Sequence, residues 1–408
     1  MNSDAKKIID ACLKEAMPGA AVKQALKNIT FPKGKLVTVS VGKAAWEMAK
    51  AAGEELGTRM HSGIVITKYG HCKGDLPGFT LCEAGHPVPD ENSYAATAKA
   101  LSMVNGLNRE DSVLFLLSGG GSALFEQPLI PADEMADITK QLLACGADIV
   151  EINTIRKRLS AVKGGRFARC VFPAQVFTVV LSDIIGDPLD MIASGPAYPD
   201  SSTCETVVGI TQKYQLKLSP EAGALIRTET PKELTNVTTF VTGSVKQLCA
   251  TAELTARELG YEPVILTSSL GCEAREAGAF LGAVARDHQS SGRSLCYIAG
   301  GETVVHLTGK GMGGRNQEIA LSAAKEISSC RDTCVFSVGS DGTDGPTDAA
   351  GGFADETTEE KLKAAGYSIP SVLKDNDAYH ALKAVNGLIF TGPTGTNVND
   401  VSVVLIRR

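Results

Sequence analysis

Two cations placed against helix starts, and a loop with three carboxylates, are where this chain could do chemistry. Lys43 lies in Val41-Gly42-Lys43-Ala44-Ala45-Trp46, a strand end running into a helix. A cation there opposes the helix dipole, and a bound anion would compensate. Arg315 follows Gly309-Lys310-Gly311-Met312-Gly313-Gly314 and opens a helical run, Asn316 to Lys325. Glycine loop and helix N-terminus together suggest an anion site, with Gly311, Gly313 and Gly314 bringing backbone N–H groups close and Arg315 adding charge at the mouth. The same loop fits Gly-x-Gly-x-x-Gly, the dinucleotide fingerprint. Leu181-Ser182-Asp183-Ile184-Ile185-Gly186-Asp187-Pro188-Leu189-Asp190 follows a strand with three carboxylates. Asp183 and Asp187 suit a metal or a substrate hydroxyl, and Asp190 reads as a helix cap.

Further loops could complete such a site. Ser118, Gly119, Gly120, Gly121 and Ser122 form a triple-glycine turn after an apolar strand, able to cradle a phosphate or a carboxylate. The segment 153–166 is the most basic; Arg156 and Lys163 are seven apart and share a helical face, while Arg158 does not. Asp341 and Asp344 lie in a loop without the EF-hand pattern, open to ribose, metal or hydroxyl contacts. His86, in the stiff loop Gly85-His86-Pro87-Val88-Pro89-Asp90, is expected to be structural, as a lone histidine more often is.

These loops need a scaffold. Apolar runs at 35–41, 63–67, 112–117, 176–182, 237–242, 262–267, 294–299, 303–307, 334–339, 387–391 and 402–406 alternate with helical stretches. That alternation predicts α/β architecture: two α/β/α units with mostly parallel sheets and an active-site cleft between them. In such sheets ligands sit beyond the strands' C-terminal ends, where the glycine turns fall. A polar stretch near 200–236 predicts an N-terminal Rossmann-like unit, 1–235, and a C-terminal α/β unit, 236–408.

Bulk properties exclude other classes. A net charge of −6 gives no general attraction to nucleic acid or anionic membrane, so an anionic ligand must be held by local cations. No apolar run approaches ~18 residues, and no signal core follows the N-terminus. Eleven cysteines without a Cys-x-x-Cys pair predict reduced thiols and a cytoplasmic protein. A Walker A motif is absent. The dinucleotide reading, an NAD(P)-dependent reductase, competes with phosphoryl transfer. Asp341 lies further from the fingerprint than a ribose acid should, and Lys43, Arg315 and the aspartate loop suit a multiply charged phosphate better.

In order along the chain, VGKAA (41–45), GHPVPDE (85–91), LLSGGGSAL (116–124), INTIRKRLSAVKGGR (152–166), LSDIIGDPLDMIASGP (181–196), GGETVVHLTGKGMGGRNQE (300–318), SVGSDGTDGPTDAAGG (337–352) and TGPTGTNVNDV (391–401) closely resemble the class II glycerate kinases, whose C-terminal part is the MOFRL domain. The resemblance runs nearly end to end. It implies transfer of the ATP γ-phosphate to D-glycerate, usually giving 2-phosphoglycerate, with Mg2+ or a similar ion. Some members carry the name hydroxypyruvate reductase. It implies Lys43, Arg315 and Asp187, or less favourably Asp183, as the catalytic core. Mg2+ would rest on ATP phosphates, with Asp183 and Asp187 as candidate ligands. ATP and D-glycerate are the expected small-molecule partners, with no nucleic acid or membrane, and a homodimer is open to it.

Overall fold

The computed structural model describes residues 1–182 and 189–408 and groups them into two compact units. One unit holds Val22–Leu181 and, after the aspartate loop, the stretch ending at Thr242. Its sheet contains β1 (Leu36–Val41), β2 (Ser62–Lys68), β3 (Phe79–Ala84), β4 (Ser112–Leu117), β5 (Gln175–Leu181) and β6 (Val237–Thr242), in the order β3-β2-β1-β4-β5-β6. Every pairing is parallel. β1 (LVTVSV) and β4 (SVLFLL) are buried along their whole length, as β-branched and apolar runs covered on both faces must be.

From β1 the chain winds one way to β2 and β3, and from β4 the other way to β5 and β6. The β1/β4 boundary is therefore the topological switch point, where loops diverge and leave a crevice. Phe115 on β4 packs its ring 5.6 Å from Phe125 and 4.7 Å from Phe167. Because Phe125 directly follows the turn after β4, that cluster ties the turn to the core.

The second unit holds Met1–Ala21 and Gly243–Arg408. Its sheet is built of β7 (Glu262–Leu270), β8 (Leu295–Gly301), β9 (Thr333–Gly339), β10 (Gly351–Asp355), β11 (Leu388–Ile389) and β12 (Asp400–Ile406), in the order β11-β10-β9-β12-β8-β7. Here only β7 and β8 run parallel; the other pairings are antiparallel. Across both sheets parallel pairings still outnumber antiparallel ones, six to four among the described residues.

The division falls at Gly243, not 235/236, because 237–242 pairs with β5 as its edge strand. The first helix, Ser3–Ala16, joins the C-terminal unit: Cys12 Sγ lies 3.6 Å from the Leu248 carbonyl, and Tyr261 donates to Asp4 at 3.0 Å.

Local differences from the sequence expectation have packing causes. The run 303–307 is not a strand; Val304 only bridges to Glu273, since β7 and β12 already flank β8. β10 (GGFAD) carries too little apolar signal to read from sequence. Its glycines serve close approach: a Cβ on Gly352 would stand 2.8 Å from Ala320 Cβ on the helix Arg315–Ile327. No described helix is long and apolar enough to cross a membrane.

Candidate active site

In the parallel unit Lys43 and the Ser118–Ser122 turn meet at the switch point. Lys43 follows β1, and its N–H donates to the Gly119 carbonyl at 2.9 Å, joining the turns after β1 and β4. Its side chain is exposed and has no carboxylate partner among the described residues. Gly120 is left-handed (φ 89°), and the chain then makes the short helical turn Gly121–Leu124. The N–H groups of Gly119, Gly120, Gly121 and Ser122 find no acceptor among the described residues. Four consecutive donors and a lysine, none with a partner among the described residues, are a set of groups that could hold an anion.

Ser118 does not belong to that nest. It is buried; its Oγ accepts the Ala44 N–H at 3.1 Å and donates to the Val41 carbonyl at 3.3 Å. The sequence reading counted its hydroxyl as a ligand group, but it is used to lock two turns together. A Cβ on Gly42 would lie 2.2 Å from Ser118 Oγ, so that interlock also requires the glycine.

Arg156 and Lys163 do share a face, yet they point to a carboxylate that the sequence reading missed. Glu126 is fully buried, 3.1 Å from Arg156 and 3.4 Å from Lys163. Both cations also donate to the Ser122 carbonyl at 2.9 Å, and Lys163 donates to the Phe125 carbonyl at 3.0 Å. Arg156 is therefore a prop beneath the turn: it holds the Ser122 carbonyl inward. Burial pushes the Lys163 ammonium down to about 8; Glu126 opposes that shift and Arg156 adds to it. Arg158, off that face, is buried against Glu229 and the Ser202 carbonyl.

Ser122 Oγ lies 3.1 Å from Ser194 Oγ, which donates to Asn153 Oδ1 at 3.1 Å. Ala193 (φ 50°) and Ser194 (φ 63°) are held left-handed, a conformation that non-glycine residues adopt at a cost of roughly 1–2 kcal/mol each. Their neighbour Gly121 explains the close fit: a Cβ there would stand 2.7 Å from Ala193 Cβ. Asp190 caps no helix; it pairs with Lys157 at 3.3 Å. Asp183 and Asp187 lie outside the described residues.

In the other unit the glycine loop is not the open cradle that the sequence suggests. Its N–H groups are taken by the segment Asp375–Asp377. Asn376 Oδ1 accepts from Thr308 at 2.7 Å and Gly309 at 2.9 Å, Asp375 Oδ1 from Lys310 at 3.1 Å, the Asp375 carbonyl from Gly311 at 2.8 Å, and Asp377 Oδ1 from Met312 at 2.9 Å. None of Gly309, Gly311, Gly313 and Gly314 has a positive φ. They are small because Asp375, Asp377 and Asp344 press close: a Cβ on Gly311 would lie 2.4 Å from Asp377 Cβ. Gly311 thus has no donor to offer a ligand. Gly313 and Gly314 keep theirs, with no acceptor among the described residues. No strand leads in and the donors of Gly309 to Met312 are committed, so the dinucleotide fingerprint lacks its structural context.

The helix Arg315–Ile327 has its dipole end filled by Asp344, which accepts from Asn316 N at 3.1 Å and Gln317 N at 2.9 Å. Burial raises the Asp344 carboxyl to about 7 against those N–H bonds, with Asp400 adding to the rise. Asp344 is a buried cap and not a ligand contact. Asp341 is half-buried, accepts the Thr343 N–H at 2.9 Å, and has no cationic partner among the described residues.

Arg315 is gripped by two carboxylates that sequence reasoning did not single out, Glu302 in the segment 300–318 and Asp400 in 391–401. Its Nε and Nη2 meet Asp400 at 2.5 and 3.1 Å, and Nη1 meets Glu302 at 2.9 Å. Asp400 starts the central strand β12, which fixes it. Burial works against the guanidinium's charge, but the Asp400 hydrogen bond and charge win and hold its pKa above the ordinary arginine value. Arginine has five N–H donors, of which three are engaged and two have no acceptor among the described residues.

Among the described residues no three His, Cys, Asp or Glu side chains converge on a metal position. A magnesium ion needs no such cage, because it keeps waters and binds through substrate phosphates with one or two carboxylates.

Residues 4–227 match the family described as a domain of unknown function (DUF4147), and residues 295–400 match the MOFRL family. A D-glycerate 2-kinase of Thermotoga maritima is 50% identical over 98% of this chain and 97% of its own length. An Agrobacterium vitis protein bearing a hydroxypyruvate reductase name is 37% identical over 98% of this chain and 93% of its own. The crystal structure of a glycerate kinase from Thermotoga maritima has a TM-score of 0.94 to this fold at 50% identity, covering 99% of this chain and 98% of that one.

Proposed function

The chain belongs to the class II glycerate kinases, and on that premise we propose that it transfers the γ-phosphoryl group of ATP to D-glycerate, giving 2-phosphoglycerate. One observation carries the reading: at the β1/β4 switch point Lys43 stands beside four N–H groups, all without a partner among the described residues. Phosphoryl transfer leaves little covalent chemistry to a protein; it rests on positioning and on cations aimed at the phosphate oxygens.

In this reading Gly119–Ser122 seat an anionic oxygen group, and Lys43 neutralises charge on the transferring phosphoryl. Arg315 is the other catalytic cation of this reading, with two donors that have no acceptor among the described residues. Asp400 and Glu302 fix the plane of its guanidinium, which is preorganisation of the kind such stabilisation needs. Asp187, ahead of Asp183, orients or deprotonates the glycerate hydroxyl. Asp183 and Asp187 are the candidate protein ligands for a Mg2+ ion, which would come with ATP and would screen phosphate charge. Gly313, Gly314 and Asp341 keep groups free for nucleotide or substrate. Ser118 and Arg156 shape the Gly119–Ser122 turn from behind, and Gly311 and Asp344 do the same for the loop that carries Arg315. The reading places the enzyme in the cytoplasm, and a homodimer fits it. ADP release that depends on D-glycerate, followed by a coupled assay, tests it; release at the same rate without glycerate would contradict it.

A further inference from the structure

His86 lies between β3 and the helix Glu91–Val104, and the machinery above makes no use of it. β3 belongs to the parallel sheet, so its loop emerges on the same edge as the turns after β1, β2 and β4. The ring reaches the anion nest. A Cβ on Gly120 would stand 3.0 Å from His86 Cδ2, 3.1 Å from Nε2 and 3.3 Å from Lys43 Cγ. Imidazole and lysine stem thus flank the turn whose donors are free.

Neither ring nitrogen of His86 has a hydrogen-bond partner among the described residues. Burial disfavours its charged form, and so do its charged neighbours, which are all basic: Lys43, Lys68 and His71. His71 is itself tied in, with Nδ1 3.0 Å from the Lys43 carbonyl. The carboxylate of the same loop, Asp90, is spent elsewhere, accepting the Ser93 N–H at 2.9 Å and the Tyr69 hydroxyl at 2.6 Å. Among the described residues, then, a half-buried imidazole without a partner stands beside cations and a row of N–H donors without acceptors, a setting that suits an anion.

We propose that His86 donates a hydrogen bond to an anionic oxygen of the substrate group seated on the Gly119–Ser122 turn. Resting on the kinase reading, that group is either the carboxylate of the hydroxy acid or the terminal phosphate of the nucleotide. A neutral imidazole suits the place: it offers an N–H donor while Lys43 supplies the charge.

The test compares His86→Phe, which keeps a ring and loses the donor, with His86→Gln, which keeps an N–H donor. A hydrogen bond to a charged group corresponds to roughly tenfold or more in affinity. His86→Phe should raise KM for one substrate by about that factor while kcat changes little, and His86→Gln should recover most of it. A rise confined to D-glycerate assigns the carboxylate; a rise confined to ATP assigns the phosphate. A folded His86→Phe enzyme with both KM values unchanged overturns the proposal. Should the wild-type protein make no phosphoglycerate, the kinase reading fails separately. Calorimetric titration with inorganic phosphate then decides His86: weaker binding by His86→Phe supports the contact, and equal binding overturns it.

Discussion

Replacing Arg315 by alanine should do two separable things. The guanidinium makes three hydrogen bonds, two to Asp400 and one to Glu302. The Asp400 side chain is only 6% exposed, so the variant leaves a buried carboxylate with no cation. Breaking a buried pair from one side costs about 3–5 kcal/mol. Glu302, at 45% exposure, simply turns to water. In its proposed role as a cation on the transferring phosphoryl, the loss of Arg315 should lower kcat on the order of 10²-fold or more. Adding Asp400→Asn removes the orphaned charge, so Arg315→Ala/Asp400→Asn should regain most of the stability in urea denaturation. It should regain none of the turnover in an ADP-coupled assay. Recovered turnover in the double variant would mean that Arg315 only balances Asp400, and near-normal turnover in Arg315→Ala would refute its role outright.

Lys43→Met should leave stability within about 0.5 kcal/mol, because the side chain is exposed and unpaired, while lowering kcat on the order of 10²-fold; a Tm and a turnover measurement check both halves. Gly120→Ala places a side chain at φ 89° and 3.0 Å from His86, so it should cost roughly 1–2 kcal/mol in urea and lower kcat/KM. Lys163 gives a pH signature. Its pKa falls from the usual 10.5 to about 8 in the fold, so charge on it is a penalty, fully present below pH 8 and relieved as pH rises to 10.5. Wild-type stability relative to Lys163→Met should therefore climb across that window by on the order of 3 kcal/mol, read from urea midpoints. A flat difference would contradict the buried ammonium.

Much of this was legible because apolar runs of 4–8 residues report buried strands, and glycine turns report where they end. β1, β4 and β5 fell within a residue or so of their expected bounds, and with them the positions of Lys43 and Gly119–Ser122. The second sheet was less legible, since strand direction follows from connections that a strand's own residues do not encode. β10 hid behind its glycines. Side-chain partnerships were the least readable. The same glycine pattern serves a bound phosphate or a carboxylate of the protein itself, and only the fold brings Asp375, Asn376 and Asp377 to Gly309–Met312. Glu126 looked like any helix-end acid until Arg156 and Lys163 converged on it from some thirty to forty residues away. Asp400 sat unremarked at the head of a strand because its partner lies 85 residues earlier.

The central claim is phosphoryl transfer from ATP to an acid's hydroxyl, resting on Lys43 and the Gly119–Ser122 turn. It is tested most directly by incubating the protein with ATP, Mg2+ and D-glycerate and resolving the products by phosphorus NMR. The account predicts ADP together with 2-phosphoglycerate. NADH-dependent reduction of hydroxypyruvate with no new phosphate ester would contradict it.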